Sequence, residues 1–232
     1  MNYVYPPKCI FCGEITGSTD VCLNCWKRVT WISQERCCNI CGQPFKYKMH
    51  DICKECLLDP PLYDKAISVF LYNNFSKTPI LNLKNRDATY LAATFSSLIF
   101  RNIKKYINAY DMICPVPIHR KKFMKRMYNQ SGLLALELSK LCNLRYDPLI
   151  LEKTKQTLAQ EGLSRELRLK NVVGSFSVIN KECINGKSII LVDDVITTGA
   201  TVNECAKELK AAGANKVLVA TIAKVVVHKF CN

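Results

Sequence analysis

No stretch of this 232-residue chain stays apolar for the roughly 20 residues that a membrane span needs, so membrane insertion is not expected. Its first residues, MNYVYPPKCIFC, lack a basic region followed by an apolar one, and no signal peptide is read there. A soluble, cytoplasmic protein is the expectation. Acids are scarce, 19 against 33 lysines and arginines, for a formal net charge of +14. The shortage is uneven. Residues 101–170 hold 15 bases and 6 acids, whereas residues 1–65 hold 8 and 7. The basic surface therefore belongs to the second part of the chain. Its partner is expected to be an anion: phosphates of a small ligand, a nucleic acid, or both. A hydrophobic content of 49% supports a real core, and the length allows one or two domains.

Without a secretory signal, the 14 cysteines do not read as a disulfide scaffold. Eight of the first nine form CxxC pairs: Cys9/Cys12, Cys22/Cys25, Cys38/Cys41 and Cys53/Cys56. Two such pairs about ten residues apart can close one tetrahedral metal site, and here the arrangement occurs twice. Two structural Zn2+ ions are expected, each held by four thiolates, with no open position for catalysis. Sequential pairing is the simpler reading because each loop closes locally, but an interleaved cross-brace stays open. Gly13 and Gly42 each follow the second cysteine of a pair, where a metal knuckle commonly needs positive φ. Cys37 is a ninth, adjacent thiol, and CxxC spacing favours Cys38 over it. His50 is left outside because four positions are already filled. Asp59-Pro60-Pro61 reads as a linker, giving residues 1–62 as a double zinc ribbon and 63–232 as a second domain.

In that second domain, apolar runs at 65–72, 111–116, 187–192 and 216–223 read as buried strands. Helical patterns lie between them. Strands alternating with helices imply an α/β fold with a parallel sheet covered on both faces. Residues 189–201, IILVDDVITTGAT, carry the most information. An apolar strand runs into Asp193 and Asp194, then into a small hydroxyl-rich turn, Thr197-Thr198-Gly199-Ala200-Thr201, and then a helix from Ala200 to Ala212. A helix N-terminus offers unpaired N–H groups and a positive dipole end to a phosphate. The threonines add donors, and the glycine lets the backbone come close. Gly213 is the stop signal for that helix. Earlier, Pro115-Val116-Pro117 ends a strand, and Arg120, Lys121, Lys122 and Arg126 follow as a candidate pyrophosphate loop. Residues 153–171 form a polar, basic segment just before the motif strand.

The 189–201 pattern closely resembles the 5-phosphoribosyl-1-pyrophosphate (PRPP) motif of type I phosphoribosyltransferases. The four CxxC pairs, ILNLK at 80–84, CPVPIHRKKFMKRMYNQSGLLALEL, TLAQEGLSRELRLKNVVGSF and LVDDVITTGATVNEC together resemble the ComF/GntX family. That resemblance implies a double zinc ribbon joined to a type I phosphoribosyltransferase-like parallel sheet flanked by helices. It implies PRPP with Mg2+ as ligand or substrate. Thr197, Thr198, Gly199, Ala200 and Thr201 would take the 5-phosphate, Asp193 and Asp194 the ribose hydroxyls, and Arg120 and Lys121 the pyrophosphate. Asp193 and Asp194 are the catalytic candidates. The segment 154–171 resembles the flexible hood of amidophosphoribosyltransferases, with Thr157, Gln160, Arg165 and Arg168 poised over the ligand. Members of the family resemble competence proteins needed in DNA uptake, and some act in using DNA as a nutrient. Implied partners are single-stranded DNA and a competence-machinery protein such as a helicase. Two departures stand out: Met127 replaces a glycine, and Lys153 replaces an arginine and so loses its bidentate fork.

Nothing in the sequence identifies an acceptor base. The region after the motif helix offers only His228 and Phe230. Two functions stay open: a protein that keeps the fold and PRPP binding while handling single-stranded DNA or nucleotides, and an active transferase. Stripping the metal is expected to unfold residues 1–60 and leave the basic domain largely intact.

Overall fold

The computed structural model describes residues 8–17, 20–47, 50–85, 88–155, 167 and 171–226. Two copies of one small unit come first. In each, a thiol knuckle turns back on itself: Gly13 N donates to Cys9 O at 2.8 Å, and Gly42 N donates to Cys38 O at 3.0 Å. Both glycines take positive φ, +80° and +68°, as the knuckle reading requires. Each unit closes with a short helix that starts directly after a ligand cysteine, α1 (Leu23–Arg28) after Cys22 and α2 (Lys54–Leu58) after Cys53.

The strands that follow are β1 (Lys65–Leu71), β2 (Met112–Pro115), β3 (Arg145–Tyr146), β4 (Leu151–Lys153), β5 (Phe176–Val178), β6 (Ser188–Ile196) and β7 (Lys216–Lys224). Five of them form a parallel sheet in the order β1-β7-β6-β2-β3. β4 and β5 pair separately as an antiparallel ribbon. Further helices are α3 (Lys77–Asn85), α4 (Leu91–Ile103), α5 (Arg120–Arg126), α6 (Gln130–Cys142) and α7 (Ala200–Ala211). A 3₁₀ turn, Lys104–Ala109, extends α4. None of the described helices is long and apolar enough to cross a membrane.

The alternation along β6 shows why both faces must be covered. Ile190 and Val192 join one core cluster with Phe95, Ile99, Leu134 and Leu138 of α4 and α6. Ile189 and Leu191 point the other way, into a cluster with Val202, Cys205, Ala206 and Leu209 of α7. All eight of those helical side chains are fully buried or nearly so. At about 25 cal/mol per Å2, burial of each of the larger ones contributes about 1.5–3 kcal/mol. Gly213, at φ +92°, donates to Lys210 O and ends α7 where the sequence signal lies.

Three boundaries differ from the sequence reading. The motif strand does not stop before the acids: β6 runs on through Asp193, Asp194 and Val195 because β7 continues to pair with it, Asp193 opposite Thr221 and Ile196 opposite Lys224. The basic stretch 120–126 is a helix rather than a turn. It is capped by His119, whose Nδ1 accepts from Lys121 N at 3.2 Å. β4, Leu151–Lys153, lies outside the four runs read as strands and pairs with β5.

Candidate functional site

The eight cysteines separate into two groups, Cys9, Cys12, Cys22 and Cys25, and Cys38, Cys41, Cys53 and Cys56. Pairing is therefore sequential, not cross-braced. Within each group all sulfurs lie within 4.8 Å of one another. Four thiolates about 2.3 Å from one tetrahedral zinc would sit about 3.8 Å apart. Cys12 Sγ and Cys22 Sγ are 3.7 Å apart, and Cys41 Sγ and Cys53 Sγ 3.6 Å. Backbone N–H groups point at two of the sulfurs, Cys25 N at Cys22 Sγ and Cys53 N at Cys38 Sγ, both at 3.4 Å. The spacing, the ligand chemistry and the donors all fit structural zinc. Cys37 stays outside, its thiol turned to Gln34 O. His50 is exposed and belongs to neither group.

The second feature is a cavity of about 590 Å3. It opens where the strands of the parallel sheet end, bounded by Tyr72 after β1, Val116 after β2, Ile196 at the end of β6 and Val225 after β7. That is the edge at which open α/β sheets bind ligands. Asp193 and Asp194 both line it. Asp194 is buried, at 5% exposure. Its Oδ1 accepts from Val195 N at 2.7 Å, while its Oδ2 accepts no hydrogen bond among the described residues. Lys84 Nζ, from α3, stands 3.4 Å from that oxygen. Asp193 Oδ1 accepts from Ser131 Oγ at 2.8 Å and from Asp194 N at 2.9 Å. Burial, and then the charge of Asp194, push the Asp193 carboxyl up to about 7.

Four cationic side chains line the same cavity: Lys84, Lys122, Arg126 and Lys153. Burial and then the other cations hold Lys122 below its ordinary value, with Arg126 the foremost of them, and the same causes act on Lys153 through Lys122. Lys84 is raised, chiefly by Asp194. Such crowding of like charge favours an anion that can spread across it. On the opposite wall lie Thr197, Gly199, Ala200 and Thr201. Gly199 takes φ +81° at the start of α7, and its own atoms offer the helix no side-chain cap. Thr198 is turned elsewhere: its Oγ1 accepts from Ala200 N at 3.4 Å and it does not line the cavity.

Of the sequence candidates, Asp193, Asp194, Thr197, Gly199, Ala200 and Thr201 come together. Arg120 and Lys121 do not; both are exposed and off the cavity wall. The helix explains the difference. His119, Lys122 and Arg126 recur at helical spacing and share the face that meets the cavity, while positions 120 and 121 turn away. Thr157, Gln160, Arg165, Arg168, His228 and Phe230 lie outside the described residues. Three participants were missed by sequence reasoning. Lys84 reaches Asp194 from α3, Ser131 holds Asp193, and Gln130 lines the cavity while its Oε1 accepts from Arg126 Nη1 at 3.3 Å. The signal available was the N-cap pattern Asn129-Gln130-Ser131. Asn129 Oδ1 accepts from Ser131 N at 3.1 Å and so aims the first turn of α6 at the acids. Met127 has φ +61°, the left-handed conformation that a glycine would adopt without strain.

Comparison with known proteins follows the same division. Residues 1–57 match the double zinc ribbon domain family, and residues 150–227 match the phosphoribosyl transferase domain family. The chain is 28% identical over 225 residues to Competence protein F of Haemophilus influenzae, covering 94% of this chain and 96% of that one. It is 31% identical over 187 residues to the DNA utilization protein YhgH of Escherichia coli O6:H1, covering 78% and 81%. It is 28% identical over 202 residues to Competence protein ComFC of Bacillus subtilis, covering 83% and 79%.

Proposed function

Because the chain belongs to the ComF family, we propose that it binds PRPP in the cavity above the sheet and acts in DNA uptake or DNA utilisation, handling single-stranded DNA or nucleotides. One observation carries the ligand assignment. A pair of carboxylates, one with a buried oxygen that accepts no hydrogen bond among the described residues, sits beside the glycine-led start of a twelve-residue helix in a cation-lined cavity. Ribose hydroxyls donate to carboxylates, and a 5-phosphate accepts from helix N–H groups and threonine hydroxyls. We assign Asp193 and Asp194 to the ribose and Thr197, Gly199, Ala200 and Thr201 to the 5-phosphate. Thr198 shapes that turn. Lys122 and Arg126 are assigned to the pyrophosphate in place of Arg120 and Lys121.

The carboxylates of Asp193 and Asp194 on the cavity wall offer oxygens suited to a ligand carrying Mg2+, which when bound would neutralise charge on the pyrophosphate. Lys84 pairs with Asp194, and Ser131 and Asp194 N hold Asp193 in its orientation. Titration calorimetry with PRPP and Mg2+ tests this reading. Binding by the wild type that is lost in the Asp193→Asn, Asp194→Asn variant supports it.

An active transferase is the second reading. Tyr72, Ile80, Leu81 and Val225 form an apolar wall in the same cavity, with room for a flat acceptor. Release of pyrophosphate from PRPP in the presence of a nucleobase, dependent on Asp193 and Asp194, would separate the two. Single-stranded DNA and a helicase of the uptake machinery are the proposed macromolecular partners.

A further inference from the structure

The two zinc units share one design but not one setting. The first leaves Cys12 exposed, and its apolar surroundings are Val21, Ile10, Phe11 and Phe75. The second is joined to the cavity by two separate routes. One route runs through the chain. After Cys53 and Cys56, α2 leads into Leu62, whose N–H donates to Asn203 Oδ1 at 2.6 Å. Asn203 lies in the first turn of α7, and its own N–H donates to Gly199 O at 2.9 Å. The next residue, Tyr63, is buried at 5% exposure. Its hydroxyl lies 3.7 Å from where a side chain on Gly199 would begin. Burial pushes that hydroxyl up.

The other route runs through the knuckle. Ala66 N, on β1, donates to Ile40 O at 2.6 Å. Gly42 meets Ala66 O so closely that an added Cβ would stand 2.6 Å from it. Lys224, only 6% exposed, gives its ammonium to Cys41 O at 3.0 Å. A buried cation is costly unless an opposite charge lies near. Four thiolates on one Zn2+ carry a net charge of −2 beside it. Lys224 in turn pairs with Ile196 across the sheet and precedes Val225, and both of those residues line the cavity.

We propose that the zinc site of Cys38, Cys41, Cys53 and Cys56, and not that of Cys9, Cys12, Cys22 and Cys25, holds the phosphate-binding turn in shape, so that metal at this site and ligand in the cavity strengthen each other's binding. The inference rests on the PRPP reading of the cavity. Zinc draws the knuckle and α2 together, which sets Leu62 and Tyr63 against Gly199 and Asn203, and it supplies the negative charge that Lys224 faces. Without it the two segments are free to part, and the turn loses its support from that side. Coupling between sites is reciprocal, so the ligand must then retain the metal.

The test uses the full chain with both zinc ions bound. A chromophoric chelator extracts zinc in excess Mg2+, with and without PRPP, while calorimetry on the same sample records PRPP binding. The expected result is that one of the two equivalents leaves about tenfold more slowly with PRPP present, within the range typical of coupled sites. The other should leave at an unchanged rate. A Cys12→Ser, Cys25→Ser variant, which keeps only the second site, should retain the protection. Asn203→Ala should keep both zinc ions and reduce the protection. If PRPP binds and both ions leave at unaltered rates, or if the protected ion is absent from that variant, the coupling is overturned. If PRPP gives no binding heat, the reading of the cavity fails first and the coupling with it.

Discussion

Lys84 Nζ stands 3.4 Å from Asp194 Oδ2, an oxygen that is otherwise buried and takes no hydrogen bond among the described residues. The two residues are 110 positions apart, and α3 and β6 bring them together at the mouth of the sheet. The ammonium sits beside that carboxylate oxygen, and in the PRPP reading the oxygen takes a ligand hydroxyl.

Replacing Lys84 by methionine should therefore weaken PRPP binding by at least about tenfold, the scale of losing a charge-assisted interaction. Unpairing Asp194 should also destabilise the fold. The lysine is about a third exposed, so the loss should be nearer 1–2 kcal/mol than the 3–5 of a fully buried pair. Denaturant unfolding and calorimetry read the two effects. Lys84→Arg, which keeps the charge, should recover part of both; equal binding by wild type and Lys84→Met would remove the lysine from the site.

Asp193 gives the site a pH dependence whose sign is set by its raised carboxyl, about 7 in the fold against roughly 4 in an unfolded chain. Between those values the folded state holds more protons, so this group's contribution to stability is fully present below about 4 and is lost as pH rises towards 7. Ligand binding runs the other way. Ribose hydroxyls favour the ionised pair, so PRPP affinity should rise with pH up to about 7, and binding at pH 6.5 should release a proton. Calorimetry in two buffers of different ionisation heat measures that proton; uptake instead of release would reverse the assignment. Ser131→Ala removes a hydrogen bond that lowers the Asp193 carboxyl and should shift the affinity profile to higher pH.

Met127→Gly should stabilise the protein. Met127 is exposed at φ +61° and donates its N–H to Phe123 O, closing α5 as a glycine normally would. The left-handed conformation costs a side-chain-bearing residue about 1–2 kcal/mol, part of which glycine returns as chain entropy. A net gain of about 0.5–1 kcal/mol is expected in thermal unfolding, and an unchanged or lower midpoint would show the backbone there to be unstrained.

The two four-cysteine groups, the parallel sheet and the glycine turn that opens α7 were all legible because each is local: CxxC pairs, apolar runs and a thirteen-residue motif need no knowledge of distant chain. What escaped was set by distance or by phase. Lys84 and Ser131 act on the acids from other elements. The basic stretch 120–126 has no apolar periodicity to announce a helix, so Arg120 and Lys121 ranked beside Lys122 and Arg126, although one turn of helix sends the first two away from the cavity. Tyr128 and Tyr146, inside the basic region, donate their hydroxyls to Leu83 O and Gly132 O, contacts that no local pattern announces. Phe123 remains exposed.

That split along α5 leads to a prediction about DNA. Arg120, Lys121 and Phe123 lie on the outside and Lys122 and Arg126 on the inside, so the proposed binding of single-stranded DNA should survive saturation with PRPP. Arg120→Glu with Lys121→Glu should weaken DNA binding and make log K less steep against log salt, by about 0.7 for each DNA phosphate no longer neutralised, while PRPP affinity holds. Displacement of labelled DNA by PRPP would place both anions in one groove.

The most direct test is titration of PRPP with Mg2+ into the wild type and into the Asp193→Asn, Asp194→Asn variant, with both proteins first shown to be folded and to hold two zinc ions. The PRPP assignment predicts saturable one-to-one binding by the wild type and none by the variant at the same concentrations. Binding of equal strength in the two, or no binding by the wild type, would contradict it.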